Sequence, residues 1–197
     1  FGRYGQIIAR VLLAQGIHPT VLDHDAEMIE TARKFGYRVF FGDATRLDLL
    51  RTAGASTAQV LVLAVDDVEQ SMEVVALVKE HFPNLHIVAR ARDATHWNKL
   101  REQGVERVER ELFESSLRSA RSVLELLGQS PHTARQTAMR FRHHNLALLE
   151  SLRPHFRDQA RLIAAQRAGR QQLEEQMAQE RAERETQRGR SWEGRAS

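Results

Sequence analysis

Apolar positions along this chain follow two alternating rhythms. Ile7, Ile8, Val11 and Leu12 recur at helical spacing and the pattern stops at Gly16, which predicts a first helix over Gly5–Gly16. Ile17–Asp23 then reads as a short buried strand. Asp25 can cap a second helix that ends at Gly36, and Tyr37–Gly42 reads as the next strand. The alternation continues with a helix over Arg46–Ala53, a strand over Gln59–Val65, a helix over Glu69–Phe82 and a strand over Leu85–Ala91. A helix over Ala94–Gln103 and a short strand near Val105–Val108 complete it. The run Val60–Val65 is apolar at every position, as in a parallel strand covered on both faces. Strands roughly 20 to 25 residues apart, separated by amphipathic helices, predict an α/β fold with a Rossmann-type doubly wound parallel sheet. The chain opens inside a motif and is expected to be a fragment of something longer, with the first strand of the sheet truncated.

From Glu111 onward the strands stop. Leu112–Leu127 has helical spacing and ends at Gly128, and Ser130-Pro131 reads as an N-cap followed by a first-turn proline. The helix it opens is predicted to reach at least Arg153, with Pro154 kinking or interrupting the chain. Gln166–Arg190 is glutamine, glutamate and arginine, with Leu173 and Met177 the large apolar residues. That stretch reads as a solvated helix or a disordered tail without a coiled-coil seam. Three segments are therefore expected: a nucleotide-binding domain over 1–110, a helical hairpin over 111–165 and a charged tail over 166–197.

Composition narrows the function classes. Hydrophobic residues make up 42% and charged residues 28% of the 197 residues, enough for a core beside a highly charged remainder. The isoelectric point is about 9.8, but the net charge is only +3 and acids are interleaved with bases. Nucleic acid is not expected as a partner. There is no cysteine, which excludes disulfides, thiolate metal sites and cysteine nucleophiles. No stretch approaches the ~20 apolar residues of a membrane helix, so the chain as given is expected to be soluble.

The opening Phe1-Gly2-Arg3-Tyr4-Gly5 carries the last two glycines of a G-x-G-x-x-G loop. Gly2 lets the backbone approach a phosphate, and Gly5 lets the helix pack close to the sheet. Asp23 ends the next strand, where a carboxylate can accept hydrogen bonds from ribose hydroxyls and repel a 2′-phosphate. An NAD- or AMP-like ligand is implied. The competing reading makes the glycines a tight turn and Asp23 the cap of the following helix. Catalysis is not expected: Tyr4 and Tyr37 lack the lysine of a Tyr-x-x-x-Lys pair, and His143 and His144 read as a partly exposed polar face.

Further motifs make a resemblance specific. Val21-Leu-Asp-His-Asp25, Arg33-Lys-Phe-Gly36, Phe41-Gly-Asp-Ala-Thr45, Ala64-Val-Asp-Asp67 and Ala89-Arg-Ala-Arg-Asp93 keep order and spacing. Together they resemble the regulatory domain of bacterial Kef-type, glutathione-gated potassium efflux systems, from Phe1 to about Leu152. Gly42-Asp-Ala-Thr45 alone is shared with the wider class of potassium-transport nucleotide domains, and a Trk-like domain without glutathione control is the alternative. The resemblance implies a homodimer beneath a membrane antiporter domain of the same longer chain, at the cytoplasmic face of the bacterial inner membrane. It also implies an ancillary oxidoreductase subunit. An adenine nucleotide, AMP or NAD(H), would contact Gly2, Arg3 and Gly5 through phosphate and Asp23 through ribose, with Asp43 and Ala44 flanking the adenine and Asp66 nearby. The positions matching the family's glutathione contacts are Arg110, Asn145 and Arg10, with Phe35 set to meet a bulky S-substituent. The helical segment would form the dimer and ligand interface. Bland alternatives are an ion pair of Arg110 with Glu109 or Glu111, a solvated Asn145 and a core role for Phe35.

Overall fold

The computed structural model describes residues 1–155, 163–165, 167–179 and 182. It divides into two units, Phe1–Glu114 and Ser115–Ser197. The first unit opens with helix α1 (Arg3–Ala14), which starts two residues before the predicted point because Gly2, in extended backbone, serves as its N-cap. Strand β1 (Thr20–Asp23) is shorter than predicted at its front, where Pro19 has no N–H to give to a ladder. Helix α2 (Ala26–Lys34) and strand β2 (Arg38–Phe41) follow. Helix α3 (Leu47–Ala53), strand β3 (Val60–Leu63) and helix α4 (Val68–His81) keep the alternation. Strand β4 (His86–Ala91), helix α5 (Ala94–Glu102) and strand β5 (Arg107–Arg110) end it.

Among the described residues every strand pairing is parallel, as the apolar run over Val60–Val65 implied. The strands form two ladders, β1-β2 and β3-β4-β5. β1 pairs Asp23 with Phe41, and β4 pairs Ala91 with Arg110. The expectation of a strand near Val105–Val108 is corrected by two residues. Val105 donates its N–H to Leu100 O to close α5 and is buried in the core, so the extended pairing begins at Arg107. The shift matters because it makes Arg110 the last residue of a strand.

Helix caps explain the element starts. Asp25, Asp67 and Asp93 each accept N–H groups in the first turn of α2, α4 and α5, a contribution of about 1 kcal/mol apiece. The core lies between β4 and the helices beside it. Val74, Val75 and Val78 of α4 are fully buried, with Ile87, Ala89, Ala91, Trp97 and Leu100. A second cluster of Ala9, Val21, Ala32 and Tyr37 holds α1 and α2 to the β1-β2 ladder, with Phe1 against it.

The described part of the other unit is built of helices. Helix α6 (Phe113–Leu126) begins at the end of the first unit, and helix α7 (Pro131–Leu152) is capped by Ser130 with Pro131 in its first turn. Pro154 falls in a 3₁₀ turn at Arg153–His155. Residues 163–165 and 167–179 are helical. Gly169 is buried: a Cβ there would lie 2.9 Å from Leu148 and 3.5 Å from His144 Nε2. Gly169, Leu173 and Met177 form the less exposed stripe of residues 167–179. A seam absent by large apolar residues is thus supplied partly by a small one, which lets the two backbones approach. The rest of the predicted tail lies largely outside the described residues. Among the described residues no helix is long and apolar enough to cross a membrane.

Candidate functional site

The loop ends of β1, β2 and β3 carry the expected nucleotide residues. At the front of α1, Gly2 makes no side-chain cap, and a Cβ built there meets nothing within 4 Å. The first N–H groups of a helix have no partner within it and carry the positive end of its dipole. Gly5 faces the sheet, where an added Cβ would lie 3.6 Å from Ala64 Cβ. Both glycines therefore fit the roles read from their spacing: an approachable helix start and a close helix-to-sheet contact. Phosphate bound there would supply negative charge and oxygen acceptors, and these residues suit it.

Asp23 and Asp25 divide the work that one residue was offered in the competing reading. Asp25 caps α2, accepting from the N–H groups of Glu27 at 2.8 Å and Met28 at 3.3 Å. Asp23 does not cap that helix. Its Oδ1 accepts the Asp25 N–H at 2.9 Å. The carboxylate stays at the strand end. Beside it, Gly42 donates its N–H to Asp23 O at 2.8 Å, which ties the β1 and β2 ends together. Gly42 has φ 147°, and a Cβ would fall 2.5 Å from Leu49 Cδ2, so glycine is required twice over. Asp43, next along, is exposed, and Ala44 is half-buried. The Asp43 carboxylate accepts from Thr45 N–H at 2.9 Å and Gln70 Nε2 at 3.1 Å. The Thr45 N–H is the main reason its carboxyl is held below the ordinary range. Gln70 had drawn no attention in the sequence, where it is one polar residue in a helix.

The more consequential omission is Arg90. It sits in β4 and is only 5% exposed. Its Nη2 donates to Asp66 and to Glu111 Oε2, the latter at 2.5 Å, and its Nη1 donates to Ala64 O at 3.2 Å. Its guanidinium lies 5.5 Å from the Tyr4 ring centre. Glu111 is itself 12% exposed, and its other oxygen accepts from Arg3 Nε at 3.2 Å. Arg90 above all, and then Arg3, hold the Glu111 carboxyl below its usual range against the opposing effect of burial. Asp66 is 79% exposed despite its pairing. One chain of charge thus runs from the start of α1 to the end of β5.

The four expected glutathione residues are placed as follows. Arg10 of α1 and Phe35, just after α2, come together: the Arg10 guanidinium lies over the ring at 5.5 Å. Phe35 is 56% exposed, so the core role is excluded. Arg110 stands over Phe113, 3.8 Å from the ring centre, and partial burial is the first cause that lowers its pKa, with Glu114 opposing. Glu111 is committed to Arg90 and Arg3, so the Arg110–Glu111 pairing gives way to the ring contact. Asn145 is half-buried in α7 of the other unit. In that unit His143 and His144 line a cleft of about 340 Å³ with Arg140, Ala147, Leu173 and Met177. Among the described residues no cluster of His, Cys, Asp or Glu could hold a metal ion.

Residues 1–111 match the TrkA-N domain, and residues 115–191 match the potassium efflux system KefB C-terminal domain. The glutathione-regulated potassium-efflux system protein KefC of Escherichia fergusonii is 53% identical over 152 residues, 77% of this chain. Its Escherichia coli counterpart is 52% identical over the same length. The match spans 24% of each relative's length. Among solved structures, the Kef C-terminal domain of Shewanella denitrificans in AMP-bound form has a TM-score of 0.73 and 40% identity, covering 78% of this chain and 94% of that one. The TrkA-N domain of the inner membrane protein ybaL from Escherichia coli has a TM-score of 0.56 and 27% identity, covering 64% and 90%.

Proposed function

Because the chain belongs to the TrkA-N domain family and to the Kef-type C-terminal domains, we propose that it is the cytosolic regulatory domain of a glutathione-gated potassium efflux system. In this reading it serves a potassium:proton antiporter in the membrane part of a longer chain, at the cytoplasmic face of the inner membrane, and acts as a homodimer. An ancillary oxidoreductase is a further partner. The domain binds and signals without turnover.

The observation that carries the reading is the convergence at the strand ends. An open helix N-terminus at Gly2 and Arg3, the Asp23 carboxylate and the Gly42–Ala44 turn meet in one place, tied by the Gly42 N–H to Asp23 O bond. Such a place accepts a nucleoside phosphate: helix N–H groups and Arg3 take the phosphate, and Asp23 takes the ribose hydroxyls. Asp43 and Ala44 flank the base, with Asp66 nearby. AMP, as in the solved relative, or NAD(H) satisfies these groups.

Glutathione control rests on the names of the relatives and on the character of four residues. Arg110 is a guanidinium suited to a carboxylate, and Asn145 can both donate to and accept from a peptide bond. Arg10 and Phe35 form an exposed cationic and aromatic pair beside them in function. Reduced glutathione favours the closed state and bulky S-conjugates the open one. A gate biased by ~2 to 3 kcal/mol would respond about 30- to 100-fold.

The two sites are tested separately. Arg110→Ala is expected to weaken reduced glutathione and its conjugates together, by about tenfold or more, while AMP affinity stays within twofold. Loss of AMP binding in that variant would show the site assignment to be wrong. A variant unchanged toward both ligands, in a chain that ignores glutathione, would leave a Trk-like nucleotide sensor.

A further inference from the structure

We propose that Glu111 is a nucleotide-linked relay: its carboxylate holds Arg3 until phosphate takes Arg3 away, and the release is felt at the β5 end that carries Arg110. The inference rests on the proposed nucleotide site and adds to it a route by which loading is sensed.

The geometry is specific. Glu111 uses one oxygen for each arginine, Oε2 for Arg90 and Oε1 for Arg3. The two partners differ in kind. Arg90 is buried and committed through Asp66, Ala64 O and the Tyr4 ring; even its Nε is buried without a hydrogen-bond partner. Arg90 is therefore fixed by its surroundings. Arg3 is 82% exposed, and its guanidinium meets Glu111 at 3.2 Å in the first turn of α1. Unlike Arg90, it can exchange partners without unburying a charge.

A phosphate at the α1 N-terminus competes directly for Arg3. It offers more charge than a carboxylate and sits at the positive helix end. When Arg3 turns to it, Glu111 keeps Arg90 and loses its second tie. Glu111 also donates its N–H to Ala91 O at 3.0 Å, the last link between the β4 and β5 ends. Arg110 immediately precedes it and lies over Phe113, three residues further on. The carboxylate that senses the phosphate is thus covalently next to the guanidinium proposed for glutathione.

The reading is tested by titrating AMP into the 197-residue chain and its variants. Glu111→Gln keeps an acceptor for Arg90 but drops the charge that competes for Arg3. It is expected to tighten AMP about twofold to fivefold, the worth of a part-exposed ion pair. Glu109→Gln, which removes an equal charge from a strand residue without the Arg3 contact, is expected to change AMP affinity by less than about 1.5-fold. In an Arg3→Gln background the Glu111→Gln effect is expected to shrink to that of Glu109→Gln. Equal effects in both backgrounds would overturn the relay, reducing Glu111 to a repulsive charge.

Amide exchange supplies a readout that a purely structural ion pair would not move. AMP is expected to speed exchange at residues 111–114 about twofold or more in the wild-type chain and to leave Glu111→Gln unchanged. Exchange unaffected by AMP in the wild type would also overturn the relay. No AMP binding at all would overturn the nucleotide reading and the relay with it, whereas binding with additive effects removes the relay alone.

Discussion

In the proposed nucleotide site, the single charge of Asp23 is the group that selects which nucleotide fits. Asp23→Asn keeps an acceptor for the Asp25 N–H but removes the anion proposed to meet the ribose. It is expected to weaken AMP about tenfold, and to narrow the discrimination between AMP and a 2′-phosphorylated analogue, measured by competitive titration. Unchanged discrimination would remove Asp23 from the ribose. His96 makes a different residue-scale prediction. It is buried, bonded through Nε2 to Ser71 Oγ and through Nδ1 to the Arg92 N–H. Burial, helped by Lys99 and Arg90 and opposed by Asp93 and Asp67, holds the imidazole below its ordinary value. The unfolded chain then binds a proton more readily than the folded one near pH 6.5. Stability is therefore expected to be full above that pH, to fall as pH drops from about 6.5 toward the folded value, and to level off below it. Urea midpoints from pH 5 to 8 check this; a slope unchanged in His96→Gln would assign it to other groups. The strand-end position of Asp23 was legible because strand, acid and glycine loop come in a fixed order along the chain. Arg90 was not, since an arginine within a strand motif gives no hint that two carboxylates reach it from residues 66 and 111.

At the scale of elements, glycines separate packing from conformation. Gly42→Ala is expected to destabilise the first unit by about 1 to 3 kcal/mol, because φ 147° and the approach of Leu49 Cδ2 both disfavour a side chain. Gly5→Ala is expected to cost at most about 1 kcal/mol, since its Cβ would stand at ordinary contact distance from Ala64 Cβ. Denaturant midpoints of the two variants test the contrast, and equal losses would contradict it. The element order was readable because apolar spacing switches visibly between helix and strand. The start of β5 was misplaced because Val105 is apolar for a core reason and not a ladder reason: it closes α5 and packs inside. The helix over 167–179 was undervalued for a related reason. Its seam uses Gly169, a small residue that a search for large apolar side chains passes over. Gly169→Leu is expected to separate it from α7, since a Cβ already comes within 2.9 Å of Leu148. Faster amide exchange across 141–149 with unaltered AMP affinity would report that separation; no change in exchange would contradict it.

For the whole molecule, the account is that one chain carries a nucleotide site at the strand ends and a glutathione response that selects between states. Only a difference in the affinity of the two states for a ligand can move a gate. The parallel strands and the loop order made the fold, and the strand ends where the nucleotide site is proposed, legible from residues alone. The glutathione half was reached through resemblance, because Arg10, Phe35, Arg110 and Asn145 are scattered over 135 positions of chain and form no local motif. The most direct measurement is calorimetric titration of the AMP-loaded chain with reduced glutathione, followed by displacement with a bulky S-conjugate. The account predicts saturable binding of both at one shared site, lost together in Arg110→Ala. Retained AMP binding with no glutathione binding would contradict it and leave a nucleotide sensor without glutathione control.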